Sequence, residues 1–241
     1  KTILSTSDAG TTGCLFLCAE SGSCYDRTIG KYIKPPTQGS WNISHDIECN
    51  DTEITLNGNL NVVLGGFWIN NVSLRMNNTY DGQYGITVYP YSQMHINENN
   101  GNPSIITNGD NASVYYSFKV MQNSIFSMRN SELEHMGWAW NLPDYSWGGL
   151  WINANNTVIE NNVIHDNPFV GLWLYESSNH TIINNTIRNN GWAEETFQGI
   201  RGKNSGYNLI QSNEIHNNAD DGIYLFGGSN NTIFLNEIYS N

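Results

Sequence analysis

Four copies of Ile-x-x-Asn-x-Ile occupy the last third of the chain: Ile159/Asn162/Ile164, Ile182/Asn185/Ile187, Ile210/Asn213/Ile215 and Ile233/Asn236/Ile238. They stand 23, 28 and 23 residues apart, and Met128/Ser131/Leu133 forms a looser copy upstream. A motif this short, recurring at this interval, is one supersecondary unit stacked on copies of itself.

Each copy follows a glycine that leads a run of alternating residues: Gly149-Leu150-Trp151-Ile152, Gly171-Leu172-Trp173-Leu174, Gly199-Ile200-Arg201-Gly202 and Gly222-Ile223-Tyr224-Leu225. Period-two alternation reads as strand, and the intervening Asn, Gly and Ser suit turns and left-handed backbone. One repeat therefore holds three short strands, and no stretch keeps a helical period. The expected fold is all-β, a right-handed parallel β-helix with three strands per coil and a rise of about 4.8 Å per coil. The repeated Ile positions become internal ladders. Asn162, Asn185, Asn213 and Asn236 should stack at one corner, amide on amide. Weaker alternation at 53–60, 61–64, 67–74, 84–88, 93–97 and 115–121 extends the pattern toward the N-terminus. The whole makes roughly eight coils and a rod about 40 Å long. The organisation expected is a cap over 1–50 and the β-helix over 51–241.

Ten Lys or Arg stand against 22 Asp or Glu, a formal charge of −12. That balance argues against nucleic acid or an anionic membrane as partner. No apolar run approaches the roughly 18 residues of a membrane span. The start, Lys1-Thr2-Ile3, lacks a leader's apolar region, so the sequence reads as either a mature exported form or a cytosolic one. Two features favour export. Nine Asn-x-Ser/Thr sequons are candidate glycosylation sites, at Asn42, Asn50, Asn71, Asn77, Asn111, Asn155, Asn179, Asn184 and Asn230. All four cysteines (Cys14, Cys18, Cys24 and Cys49) lie near the N-terminus, away from the repeats. Two disulfides tying down the cap, in any of three connectivities, is preferred to a metal site, because Cys-x3-Cys-x5-Cys matches no zinc knuckle. At the other end, 238–241 stops partway through a coil with no polar cap. This suggests a longer natural chain or an edge covered by another subunit, and the second option implies self-association, end to end or lateral.

If Leu150 and Ile152 point inward, Trp151 and Asn153 point out. Stacking then gives one outward column, Trp151, Trp173, Arg201 and Tyr224, and a second, Asn153, Tyr175, Lys203 and Phe226. Longer segments carrying Trp138, Trp140, Trp147 and Trp192 precede these strands. An aromatic tract of this extent calls for a partner: a glycan stacked on the rings, a subunit interface, or loops folded back as a local core. Catalytic groups are sparse. Arg201 or Lys203 with Asp220 and Asp221 could serve an elimination, and Asp221 with Glu195 or Asp166 a hydrolysis. Acidic residues before a strand-leading glycine are also ordinary turn formers. The one cofactor with any support is Ca2+ at Asp220 and Asp221. His165 and His216 share a repeat position two coils, about 9.6 Å, apart. They are too distant to share a metal and read as solvated surface histidines.

The segments NHTIINNTIRNNG, GIYLFGGSNNTIFLNEIYSN and GLWINANNTVIENNVIHDN resemble the parallel β-helix repeats of carbohydrate-binding and sugar-hydrolysing proteins. That group includes the β-helix protein of nitrous-oxide-reductase maturation. LNGNLNVVLGGFWINNVSLRMNN and FKVMQNSIFSMRNSELEHMGW resemble β-helix regions of exported archaeal cell-surface proteins. The resemblance spans about 41–241 and implies fold and export. The shared residues are structural, so it does not itself assign an activity. On sequence alone the first reading is a glycosylated, extracellular structural protein, a subunit of a self-assembling surface filament, sheath or layer. The alternative is a polysaccharide-binding or polysaccharide-processing protein that uses the Trp-rich face as a lyase or glycosidase would.

Overall fold

The computed structural model describes residues 22–109, 113–137, 148–191 and 197–241. Among them are twenty-four strands and no helix. The first two, β1 (Cys24–Asp26) and β2 (Lys31–Ile33), form an antiparallel hairpin, and β1 runs antiparallel to the start of β4 (Ile47–Leu56). Every other pairing between strands is parallel and joins one coil to the next.

The first face is the eight-stranded sheet that contains the glycine-led strands. It comprises β3 (Trp41–Ile43), β5 (Leu60–Val62), β7 (Gly85–Val88), β10 (Ser117–Val120), β13 (Leu150–Ile152), β16 (Leu172–Tyr175), β19 (Ile200–Lys203) and β22 (Ile223–Phe226). Eight strands on one face mean eight coils, as the repeat count implies. The second face carries β8 (Ser92–Asn97), β11 (Ile125–Arg129), β14 (Val158–Glu160), β17 (Thr181–Ile183), β20 (Leu209–Gln211) and β23 (Thr232–Phe234). The third carries β9 (Ile105–Asn108), β12 (Glu132–Glu134), β15 (Val163–His165), β18 (Thr186–Arg188), β21 (Glu214–His216) and β24 (Glu237–Tyr239). In the early coils one long strand serves both of these faces: β6 (Gly65–Met76) pairs with β8 through 65–70 and with β9 through 73–76. The alternation read at 53–60 belongs to β4, which ends at Leu56.

The interior is a set of aliphatic columns. Ile159, Ile182 and Ile210 stack in register, as do Ile164, Ile187 and Ile215, and all six are fully buried. Met128 and Leu133 continue the same two columns upward, toward Ile96 and Ile106, so the looser upstream copy is a true rung. Burying each such side chain contributes about 1.5–3 kcal/mol.

The corners are polar and equally regular. Between the second and third faces one residue per coil takes a left-handed backbone: Asn130, Asn161, Asn184, Ser212 and Leu235 all have φ between 46° and 57°. Asparagine tolerates that region better than most residues. The next position holds the buried amides. Asn162, Asn185 and Asn213 each aim Oδ1 at the previous coil: Asn162 accepts from the Ser131 backbone N–H, and Asn185 and Asn213 accept from both the backbone N–H and Nδ2 of the preceding asparagine, all at 2.9–3.0 Å. Asn236 accepts in the same way from Asn213. Each Nδ2 also donates to an interior carbonyl, as Asn213 does to Ile182 at 2.9 Å.

A second ladder, which the repeat motif does not include, runs five residues further on through Asn167, Asn190, Asn218 and Asn241. It explains the leading glycines. A Cβ on Gly199 would lie 2.7 Å from Ile215 Cγ2, 2.8 Å from the Gly222 carbonyl and 2.9 Å from Asn218 Nδ2. Gly171 and Gly222 meet the equivalent groups of their own coils. The first face can reach the ladder only where no side chain intervenes.

Of the cysteines, Cys24 and Cys49 form a disulfide linking β1 to β4, and both are buried. Cys14 and Cys18 lie outside the described residues. Among the described residues no helix is long and apolar enough to cross a membrane.

Two outcomes follow from the corners. Asn213→Ala removes four side-chain hydrogen bonds and strands buried donors on Asn185, so it should cost about 3–5 kcal/mol in denaturant unfolding. Asn217→Ala, at an exposed turn, should cost about 1 kcal/mol. The third corner contains His180, whose Nε2 meets Ser177 Oγ at 2.9 Å while Nδ1 is buried with no partner among the described residues. Burial lowers this imidazole to about 4. The unfolded chain therefore binds a proton that the folded one refuses. Stability should decline as pH falls from about 6.5 toward 4, by an amount on the order of 3 kcal/mol. His180→Asn should flatten that limb in thermal melts recorded against pH.

Candidate functional site

The first face presents the two outward columns in the register read from the repeats. Trp151, Trp173, Arg201 and Tyr224 are successive partners, and so are Tyr175, Lys203 and Phe226. The first column also continues upward, to Lys119 and then Thr87. Sequence reading missed Lys119 because its strand lies before the clear repeats.

Exposure differs from the expectation at the centre. Trp173 is 1% exposed, because Phe169, Val170 and Phe197 fold over it as a small separate core. The local-core alternative holds there. It does not hold on either side, since Trp151 and Tyr175 are only partly buried against this core and Tyr224 is 41% exposed. Trp138, Trp140, Trp147, Trp192 and Glu195 lie outside the described residues.

The cations of this face are held by rings. Arg201 sits 4.9 Å from the Trp173 ring centroid, 5.6 Å from Phe226 and 5.8 Å from Tyr224. Lys203 Nζ lies 5.2 Å from the Tyr175 ring, which in turn packs 5.7 Å from Trp151. Burial lowers the pKa of both Lys119 and Arg201 from their ordinary values. Arg201 reaches Gln198 Oε1 at 3.5 Å, and Gln198 Nε2 donates to Asp220 at 2.9 Å. Asp220 is thus tied into the first face, whereas Asp221 is exposed at the turn into β22. Three adjacent rungs also carry buried N–H groups with no acceptor among the described residues: Trp151 Nε1, Trp173 Nε1 and Arg201 Nε. Each costs about 1–3 kcal/mol if nothing accepts from it.

The structure moves the cation-holding candidate away from Asp220 and Asp221. Among the described residues, the side chains that come together with metal-ligand spacing are Glu132, Glu134 and His165 on the third face. His165 is consequently not a solvated histidine. It is buried between Glu132 and Asp166, while His216 stacks on Tyr239 at 4.9 Å. Asp166 belongs to that third-face cluster.

Of the sequons, Asn42, Asn50, Asn155, Asn179, Asn184 and Asn230 are exposed. Asn71 and Asn77 are half-buried and donate to Asp51 and Asn57. Asn111 lies outside the described residues.

With glycine-led strands, internal Ile columns and corner amides in place, the comparisons with known proteins have a structural basis. The family model described as "Right handed beta helix region" matches residues 66–193 and 119–241. The chain belongs to this right-handed β-helix family. No curated protein matches it. The crystal structure of the periplasmic alginate epimerase AlgG is similar with a TM-score of 0.48 and 16% identity, over 82% of this chain and 55% of that chain. A double mutant of the same epimerase gives 0.47 and 17% over the same shares. The plasmid-mediated fluoroquinolone resistance protein QnrB1 gives 0.23 and 9%, over 85% and 92%. The β-helix chain spans about half the length of the epimerase, and at these identities the likeness concerns fold alone.

Trp173→Ala should open a cavity beneath Phe169 and Phe197 and cost about 3–5 kcal/mol. Trp151→Ala, at a half-exposed rung, should cost clearly less. Parallel thermal and denaturant unfolding of the two variants checks the difference.

Proposed function

We propose that this chain is an exported β-helix protein that binds an acidic polysaccharide along its first face. The observation that carries the reading is the interleaving of Lys119, Arg201 and Lys203 with Trp151, Tyr175, Tyr224 and Phe226 in two outward columns. The chain as a whole carries a charge of −12, so a cationic strip on it is a local feature. Rings offer flat apolar surface to the faces of sugar rings, and the cations answer carboxylates. The rungs recur about every 4.8 Å, comparable with the advance of one pyranose unit along an extended polymer. Export agrees with the Cys24–Cys49 disulfide, a bond of oxidising compartments, and with exposed sequons open to glycosylation. This reverses the order in which the sequence alone ranks the readings, placing glycan recognition ahead of a filament subunit.

Titration calorimetry with a polyuronate and a neutral polysaccharide of similar linkage tests the reading. The polyuronate should bind at least tenfold more tightly, and added salt should narrow the gap. Lys203→Ala and Trp151→Ala should each weaken polyuronate binding about tenfold while the melting transition stays cooperative. Equal affinity for both polymers, or indifference to both substitutions, would sink the proposal. So would ordered filaments of the free protein in electron micrographs with no glycan bound.

A further inference from the structure

We propose that Glu132, Glu134 and His165 form a divalent transition-metal site on the third face, one that takes Zn2+ in preference to Ca2+. The ligand atoms of the three side chains all lie within 4.8 Å of one another. His165 Nε2 is 2.6 Å from Glu132 Oε1 and 3.9 Å from Glu134 Oε2. Tetrahedral zinc, with bonds of about 2.0–2.1 Å, needs ligand atoms about 3.3 Å apart. One contact must therefore open and the other close, each by less than the reach of a carboxylate rotation.

The second coordination sphere is in place. The opposite ring nitrogen, His165 Nδ1, meets Asp166 Oδ2 at 2.6 Å. A histidine that binds metal through one nitrogen generally donates its other N–H to a carboxylate or carbonyl, which fixes tautomer and ring orientation. With Nδ1–H committed to Asp166, the Nε2 lone pair points at the two glutamates, where a cation is the natural third party. His165 is held rigidly, its side chain only 6% exposed, whereas Glu132 at 34% and Glu134 at 22% keep the ligand edge open to an arriving ion.

The His135 imidazole lies beside Glu134, 3.5 Å away, at the edge of the cluster. Two strands on adjacent coils supply the three ligands, since Glu132 and Glu134 of β12 flank Leu133, which pairs with Ile164 of β15. The donor set decides the metal. Mixed imidazole and carboxylate suit zinc and its neighbours, while Ca2+ prefers six to eight oxygens, which three side chains with one nitrogen do not supply. Three protein ligands leave a coordination position facing solvent, the arrangement of sites that bind or polarise a ligand.

Metal uptake by the full chain tests the site. After treatment with a chelator and its removal, titration with Zn2+ alone should show one equivalent bound, with Ca2+ at least tenfold weaker. Glu132→Gln, whose side chain is partly exposed, should lower Zn2+ affinity at least tenfold in a protein that melts as the parent does. His165→Gln should do the same and should abolish the visible spectrum of bound Co2+. Glu214→Gln, on the same face two coils beyond β15, should change neither. Uptake well below one equivalent would overturn the proposal and leave an imidazolium clasped between two carboxylates. Ca2+ binding as tight as Zn2+ and unaffected by His165→Gln would overturn it as well. The result is independent of polysaccharide binding, which involves the other face.

Discussion

The amide ladder at the corners is the interaction on which the rest of this β-helix depends. Parallel strands alone do not say where a coil must bend, because the backbone hydrogen bonds of every position are alike. Asn162, Asn185, Asn213 and Asn236 supply that information. A buried amide must satisfy two donors and an acceptor, and here the neighbours that satisfy it are the next amide and an interior carbonyl. The corner is thereby locked to the same residue in each coil, and the Ile columns on either side fall into register. The second ladder at Asn167, Asn190 and Asn218 closes the cross-section by fixing the approach of the glycine-led strand. Change the spacing of either ladder and the inward and outward residues of the following strand exchange places.

This division of labour separates stability from recognition. Inward positions and corners are constrained by their neighbours above and below, and contacts run from coil to coil in a nearly one-dimensional array. Outward positions are bound only by what lies beside them. The three faces therefore carry different chemistry on one framework: rings and cations on the first, aliphatic side chains mixed with polar ones on the second, carboxylates and imidazoles on the third. The His165, Arg188, His216, Tyr239 column shows how freely the outward residue changes from one coil to the next.

Legibility in the sequence tracks that distinction. The Ile and Asn positions could be read directly, because identical side chains recur wherever the interior asks the same thing of each coil. The early coils were harder. Their corner is held by Ser104 and Ser131 in place of asparagine, and β6 runs around the corner as one strand, turning at Asn71 with φ +52°. The Asn167 ladder was available, five residues past each motif asparagine, but its partner is a glycine 19 residues earlier, and absence of a side chain leaves little signal. On the first face the columns were legible and their burial was not, since the covering of Trp173 depends on Phe169 and Phe197 from loops outside the repeat. Glu134 is the in-register partner of His165, but Glu132 stands 33 residues away and two positions out of register, so its contact with the ring depends on side-chain reach that the repeat alignment does not show.

The direction of the amide ladder has a further meaning. In each rung the donors belong to the earlier coil and the acceptor oxygen to the later one, from Ser131 through Asn162, Asn185 and Asn213 to Asn236. The bonds do not alternate, so their dipoles add along the axis and polarise one another. The stack therefore has a head and a tail of unlike chemistry. A coil added after the last rung must offer an oxygen, and one added before the first must offer an N–H. A rod built this way can be lengthened by repeating its own sequence, but it cannot be mirrored.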